Sequence, residues 1–293
     1  MKKDYLVRGV AFDKQVRIFV ADTSKTVQEA QKRHDSWSIS TAALGRTIIG
    51  SLFLGTALKG DDTVTVRIQG EGPIGYLVGE ADAKGNVRGY IKNPQVSLNP
   101  NDLNKIDVAG GVGARGELIV TKDLGLKEPY VGRVNLISGE IAEDFTYYMT
   151  SSEQTPSAFA MGVLVNPDES VDHAGGFMVQ LLPGASEETI SQLEENLVNF
   201  PHITELLKEG KTPEEILELV CQGGNPKVLG HMPVQFHCTC SKERFAQAMV
   251  SLGSEEIQSM IDQDGGAEAI CHFCRQKYIY SAADLEQLQK ETE

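Results

Sequence analysis

Two pairs of cysteines set in a short stretch with few core residues constrain this chain more than anything else in it. Cys238 and Cys240 form a CTC motif, Cys271 and Cys274 a CHFC motif, and 30 residues lie between them. Two thiolate pairs on separate loops are what a closed tetrahedral Zn²⁺ site requires, with metal–sulfur distances of about 2.3 Å. The one-residue spacer of the first pair still permits chelation but makes a tighter bite than the usual two-residue spacer. His237 and His272 flank the pairs, yet four cysteines already saturate the site. The 61 residues Pro233–Glu293 hold few large apolar side chains: Phe236, Phe245, Met249, Leu252, Ile257, Met260, Ile261, Ile270, Phe273, Tyr278, Ile279, Tyr280, Leu285 and Leu288. A domain of that size has a marginal core. Zinc adds roughly 10–16 kcal/mol of apparent binding energy to such folds. The module is therefore expected to fold around its metal and to unfold without it.

The same cysteines suit a redox switch. Zinc holds thiolates, the oxidisable form, and neighbours within a pair can close a disulfide once one is attacked. Short loops between partners make bonds that are readily reduced again. A purely structural zinc site has the same spacing, so spacing alone leaves both readings open. The fifth cysteine, Cys221, lies at a helix end outside both pairs and is expected to be a half-buried spectator with no assigned role. Met1–Val10 carries charges and no apolar segment, so no signal peptide is expected. The chain reads as a soluble, cytosolic protein, where clustered cysteines mean metal or catalysis more often than structural disulfides.

At 293 residues, with 41% hydrophobic and 23% charged side chains, the chain is long enough for two or three domains. Few aromatics (6%) and 29 glycines suggest turn-rich β structure. Tyr5–Ala11 and Val16–Ala21 alternate around a turn at 12–15, as a hairpin does. Thr23 is positioned to cap a helix running to about Arg33, and Ser38–Leu58 forms a second helix. Its apolar stretch is interrupted by Gly45 and Arg46, and reads as a buried helix rather than a membrane span. Period-two runs follow at Thr63–Gln69, Gly75–Glu80, Val87–Ile91, Gly116–Lys122 and Tyr130–Leu136. A helix at Glu140–Ser151 and strands at Ser157–Val165 and Phe177–Leu182 complete residues 1–183, an α+β domain of mostly antiparallel sheet.

Residues 184–232 have a different texture. Ser186–Val198, His202–Lys208 and Pro213–Cys221 read as short acidic amphipathic helices, opened by Ser186 and by Thr212 before Pro213. Modest apolar content makes them stable mainly when docked on something else. Charge follows this division. Met1–Pro183 holds 19 Lys and Arg against 22 Asp and Glu, whereas Gly184 onward holds 8 against 19, so most of the net −14 lies in the last 110 residues.

Recognisable motifs run along the whole chain. FHCTCSKERF (236–245), SLGSEEIQSMIDQDG (251–265) and CHFC with Tyr278 closely resemble the C-terminal module of the redox-regulated heat-shock chaperones, the thirty-three-kilodalton chaperonin family. VRIQGEGP (66–73), YYMTSSEQTPSAF (147–159) and AGGFMVQLLPGA (174–185) look like that family's core motifs, in the right order. The resemblance implies a core chaperone domain at 1–183, a helical linker at 184–232 and a zinc-binding redox switch at 233–293. It implies an ATP-independent holdase for unfolding client proteins, inactive when reduced and bound to one zinc through Cys238, Cys240, Cys271 and Cys274. Oxidation would form the Cys238–Cys240 and Cys271–Cys274 disulfides and release zinc, the linker would unfold, and the active form would be a homodimer.

Other functions fit less well. Gly110–Gly116 is glycine-rich, but no Walker lysine follows, and it reads as a mobile turn between strands. His34, His173, His202 and His231 are scattered singly, so no catalytic constellation and no enzyme is expected. Five Lys and Arg against ten Asp and Glu in Pro233–Glu293 argue against nucleic acid. A scaffold with a constitutive structural zinc site is the alternative, separated from the switch by whether peroxide ejects the metal reversibly.

Overall fold

The computed structural model describes residues 3–101 and 105–290. Strands β1 (Tyr5–Ala11) and β2 (Val16–Asp22) form the expected hairpin, followed by α1 (Ser24–His34) and α2 (Ser38–Gly55). Then come β3 (Thr63–Gly70), β4 (Tyr76–Asp82), β5 (Asn86–Ile91), α3 (Val108–Val112), β6 (Gly116–Asp123) and β7 (Tyr130–Asn135). Helix α4 (Ala142–Ser151) and strands β8 (Ser157–Val165) and β9 (Val171–Leu181) lead into α5 (Glu187–Val198), α6 (Ile203–Lys208) and α7 (Pro213–Val220). Two further strands, β10 (Lys227–Pro233) and β11 (Gln235–Phe236), precede the cysteines. The chain divides into two compact units, Met1–His237 and Cys238–Glu293.

The first unit contains two sheets. One has the order β10-β1-β2-β9-β8 and is antiparallel throughout; the other is β11-β5-β4-β3-β6-β7, with a single short parallel pair, β11 on β5. Helix α2 packs against strands of both. Every residue from Ile39 to Gly55 except Arg46 is buried. By length and composition α2 could cross a membrane, but 89% of its apolar window is enclosed by the fold. The approach is close enough to require glycine on the facing strand. A Cβ at Gly79 would lie 2.4 Å from Ser51 Oγ.

Alternation along the strands divides the core in two. Leu6, Phe19 and Ala21 face the cluster around α2, while Val7, Ile18 and Val20 face the opposite side. That opposite side is covered by α5, α6 and α7 through Leu193, Ile203, Leu206, Ile216, Leu217 and Val220. The acidic helices are thus docked, as their low apolar content requires. Ser186 Oγ accepts from Thr189 N at 3.2 Å, and Thr212 and Glu215 form a reciprocal capping box.

Two buried carboxylates organise helix starts, one from outside its helix and one from the helix's own first turn. Thr23 occupies the N-cap position of α1, but its hydroxyl donates to Ala174 O, and the acceptor for Lys25 N and Thr26 N is Asp4 on the entry to β1. Asp144, fully buried, accepts from the backbone N–H groups of Ile137, Ser138, Gly139 and Ile141 at 2.7–3.1 Å. It holds Ile141 at φ 70, a left-handed conformation unfavourable for a β-branched residue.

The glycine run at 110–116 is not a free turn. Its first part is the helical turn α3, pinned to the β3–β4 loop by Gly72 N→Val112 O and Ile74 N→Gly111 O bonds of 2.9 and 3.1 Å. Glycine is needed there because the two backbones nearly touch: a Cβ at Gly72 would sit 2.4 Å from Gly111 O.

The second unit holds α8 (Lys242–Val250), α9 (Ser254–Asp264), the hairpin β12 (Gly266–Ile270) and β13 (Lys277–Ser281), and α10 (Ala282–Lys290). Its buried core is Met249, Ile257, Tyr280 and Leu285, small as expected.

Candidate metal centre

The CTC motif lies just before α8, whose N-cap Ser241 accepts from Arg244 N at 3.2 Å. Arg244 also reaches back, its Nη1 donating to Thr239 O and Oγ1 at 3.1 and 2.8 Å, and so fixes the residue between the two cysteines. The CHFC motif forms the loop of the β12–β13 hairpin. Cys271 N donates to Gln276 O, and Arg275 N to Cys271 O, with Arg275 in the left-handed region at φ 60. The CHFC pair is therefore presented by a hydrogen-bonded backbone turn, and the CTC pair by an irregular segment that the Arg244 side chain holds.

These loops bring the four predicted residues together. The Sγ atoms of Cys238, Cys240, Cys271 and Cys274 all lie within 4.8 Å of one another. Cys238 and Cys271 sulfurs are 3.7 Å apart, Cys240 and Cys274 sulfurs 3.3 Å. A tetrahedron with metal–sulfur bonds of about 2.3 Å has edges of about 3.8 Å, so the set fits a four-coordinate cation with little adjustment. Cys271 and Cys274 are buried, and the CTC pair is half-buried. Burial pushes the thiols of Cys271 and Cys274 up, whereas a divalent cation at the centre acts in the opposite sense and favours thiolates. Neither His237 nor His272 belongs to the cluster.

Aromatic side chains of β13 support the CTC loop, a feature that motif spacing does not reveal. Tyr278 Oη lies 3.1 Å from Cys240 O and 3.2 Å from Cys240 Sγ, and its ring sits 5.3 Å from that of Phe245. Tyr280 Oη donates to Lys242 O at 2.6 Å. The period-two spacing of the two tyrosines on a strand is the one signal in the sequence that could have placed both on the same face.

Cys221 stands apart. It is fully buried in the core beneath the acidic helices rather than half-buried, and burial pushes its thiol up to about 12. A neutral, enclosed thiol is inert in that position.

Fold and site together define an α+β protein with a C-terminal module that brings four cysteines to metal-ligating distance. Comparison with known proteins makes this specific. The family model described as Hsp33 protein matches residues 4–281. The chain is 53% identical over 289 residues to the 33 kDa chaperonin of Bacillus velezensis, covering 99% of each chain. It is 52% identical to that of Enterococcus faecalis, covering 99% of this chain and 97% of the relative. The crystal structure of the 33 kDa chaperonin of Thermotoga maritima superposes with a TM-score of 0.93 at 37% identity, covering 99% of both. The chain belongs to the Hsp33 family of chaperones.

Proposed function

We propose that this chain is an ATP-independent holdase, silent when reduced and zinc-bound and switched on by oxidation. The observation that carries the reading is the apolar face of the five-stranded sheet, lined by Val7, Ile18, Val20 and Val179 and covered by three short acidic helices. Helices of that length have little stability of their own. Exposed, such a face would bind the apolar segments of unfolding proteins. In this reading residues 1–183 hold the client-binding sheet except for its edge strand β10, the helices within 184–232 are the cover, and 233–293 are the switch.

The four cysteines would hold one Zn²⁺, which keeps them as thiolates and supplies the folding energy their small module lacks. The oxidant is a peroxide. One thiolate attacks a peroxide oxygen, the O–O bond breaks, hydroxide leaves and the sulfur becomes a sulfenic acid. The neighbouring thiolate then displaces hydroxide from that sulfur, closing the disulfide, and the two hydroxides take protons from solvent. The pairings proposed are Cys238–Cys240 and Cys271–Cys274, each within one short loop, so two peroxides are consumed and the zinc is left without ligands. Loss of order then spreads along the chain into the acidic helices. The active form is a homodimer that binds unfolded clients in the cytosol. The acidic C-terminal third supports neither nucleic-acid nor membrane-surface binding.

The test is light scattering of a heat-denaturing client in the presence of the reduced, zinc-loaded protein or of the peroxide-treated protein, with zinc release followed in the same tube. Suppression of aggregation only after oxidation, in step with zinc loss and reversed by a thiol reductant, is the expected result. Zinc that stays bound, or protection indifferent to oxidation, would leave the cysteines as a constitutive structural site.

A further inference from the structure

Tyr278 has a hydroxyl with one hydrogen and two acceptors within reach, both on Cys240: the carbonyl oxygen at 3.1 Å and Sγ at 3.2 Å. Which acceptor takes the hydrogen depends on the state of the sulfur. A thiol or disulfide sulfur is a weak acceptor, so the hydroxyl then bonds to the carbonyl. A thiolate is charged, and charge-assisted bonds are roughly twice as strong as neutral ones. The hydroxyl then turns to the sulfur by rotation about its own C–O bond. The ring need not move, because it is braced against Phe245 at 5.3 Å between centroids.

We infer that Tyr278 is a positioning residue of the metal centre, whose hydroxyl donates to the Cys240 thiolate and restrains its reaction with peroxide. The inference rests on the four-thiolate metal reading above. A hydrogen bond to a thiolate draws electron density from the lone pair that attacks the peroxide oxygen and lowers its nucleophilicity. The step it slows is the first one, in which the O–O bond breaks, hydroxide departs with the electron pair and Cys240 becomes a sulfenic acid. The consequence is a switch with a built-in threshold: the resting site resists adventitious oxidation more than four bare thiolates would.

The experiment uses the full chain as wild type, Tyr278→Phe and Tyr280→Phe, each loaded with Co²⁺ for spectroscopy and with Zn²⁺ for kinetics. Tyr278→Phe keeps the ring in its tilted contact with Phe245 and removes only the hydroxyl. Tyr280→Phe removes the neighbouring bond to Lys242 O, which does not touch a sulfur. In Tyr278→Phe the sulfur-to-cobalt charge-transfer band is expected to move to longer wavelength, with the tetrahedral ligand-field bands unchanged. Peroxide-driven zinc release is expected to quicken roughly three- to tenfold, the range for losing one hydrogen bond. Zinc transfer to a chelator without oxidant should stay within about twofold of wild type, and Tyr280→Phe should leave the charge-transfer band in place. A Tyr278→Phe spectrum and peroxide rate superimposable on wild type would overturn the inference. So would equal acceleration by peroxide and chelator, or failure of this variant alone to take up metal, since either gives Tyr278 a merely structural part. Wild type lacking any thiolate charge-transfer band would instead sink the metal reading beneath it.

Discussion

Glu214 Oε2 accepts a hydrogen bond from Tyr5 Oη at 2.8 Å, joining the first turn of α7 to the first strand of the chain, 209 residues earlier. Its other oxygen takes a bond from His231 Nε2 on β10, also at 2.8 Å. One carboxylate thus ties an acidic helix to two adjacent strands of the sheet it covers. Burial pushes the Glu214 carboxyl up, but the bonds from its own backbone, Tyr5 and His231 outweigh it and hold the group below the usual range.

A folded-state value below the unfolded one gives stability that is present above the unfolded value of about 4.3 and lost as pH falls through the lower folded value. Glu214→Gln is expected to weaken the docking of α7 by about 1 kcal/mol at pH 6. The gap in urea midpoint between wild type and variant should close between about pH 5 and pH 3. A gap that is constant across that range, or widens on acidification, would contradict the assignment.

Cys221 is a ready reporter of the same docking, because its thiol is enclosed by the core under α5–α7. Reduced, metal-loaded protein should resist maleimide at Cys221 at neutral pH. Peroxide-treated protein, its other four thiols spent in disulfides, should label there within minutes. Equal labelling in both states, read by mass spectrometry, would mean that the helices do not leave the sheet.

Stripping the metal should unfold the Cys238–Glu293 unit, its β12–β13 hairpin included, and spare the two sheets of the first unit. Its core is four buried side chains, too few to hold the unit alone. Hydrogen exchange is expected to show the amides of α8, α9 and α10 exposed after chelation and those of α2 protected as before. Persisting protection in α8–α10 would show that the module stands without metal.

Cys238→Ser removes one of four mutually close sulfurs. Weaker zinc retention is expected, together with faster proteolysis within 184–232 in the reduced protein. Normal zinc content and unchanged protease resistance would refute the link between metal and cover.

Asp144→Ala tests the first unit independently of the metal. Four backbone N–H groups share that carboxylate, and losing a buried acceptor costs about 1–3 kcal/mol for even one group. A loss of at least about 3 kcal/mol is expected from the unfolding midpoint, with Asp144→Asn less damaging because it keeps one carbonyl oxygen.

Much of this was legible in the residues. Alternation around the turn at 12–15 is visible as β1 and β2, Thr212 before Pro213 announces α7, and the cysteine spacing picks out the four residues whose sulfurs come together. What stayed hidden was set by tertiary partners. α3 reads as a turn because Gly111 is required by the close approach of Ile74 in the β3–β4 loop and Ile39 on α2, not by helix propensity. β10 follows a Gly-Gly-Asn-Pro break and exposes Val228 and Leu229, so its pairing with β1 is not written in its pattern. The first half of β9, Val171–Gly176, carries two glycines where neighbours press close. At the site, the Tyr278 hydroxyl is invisible to spacing, because hydrogen-bonding direction has no periodicity.

The pairing of β10 with β1 has a topological consequence. Residues 182–226, between the end of β9 and the start of β10, are anchored to the same sheet at both ends. If they come loose while β10 stays paired, they form a closed loop rather than a free tail. The entropy of such a loop grows only logarithmically with its length, and its ends keep the helices at an effective concentration of order millimolar over their own docking face. Recapture then needs no search through solution. The waiting time for resetting the protein would be set by sulfur chemistry, with the chain itself closing behind it.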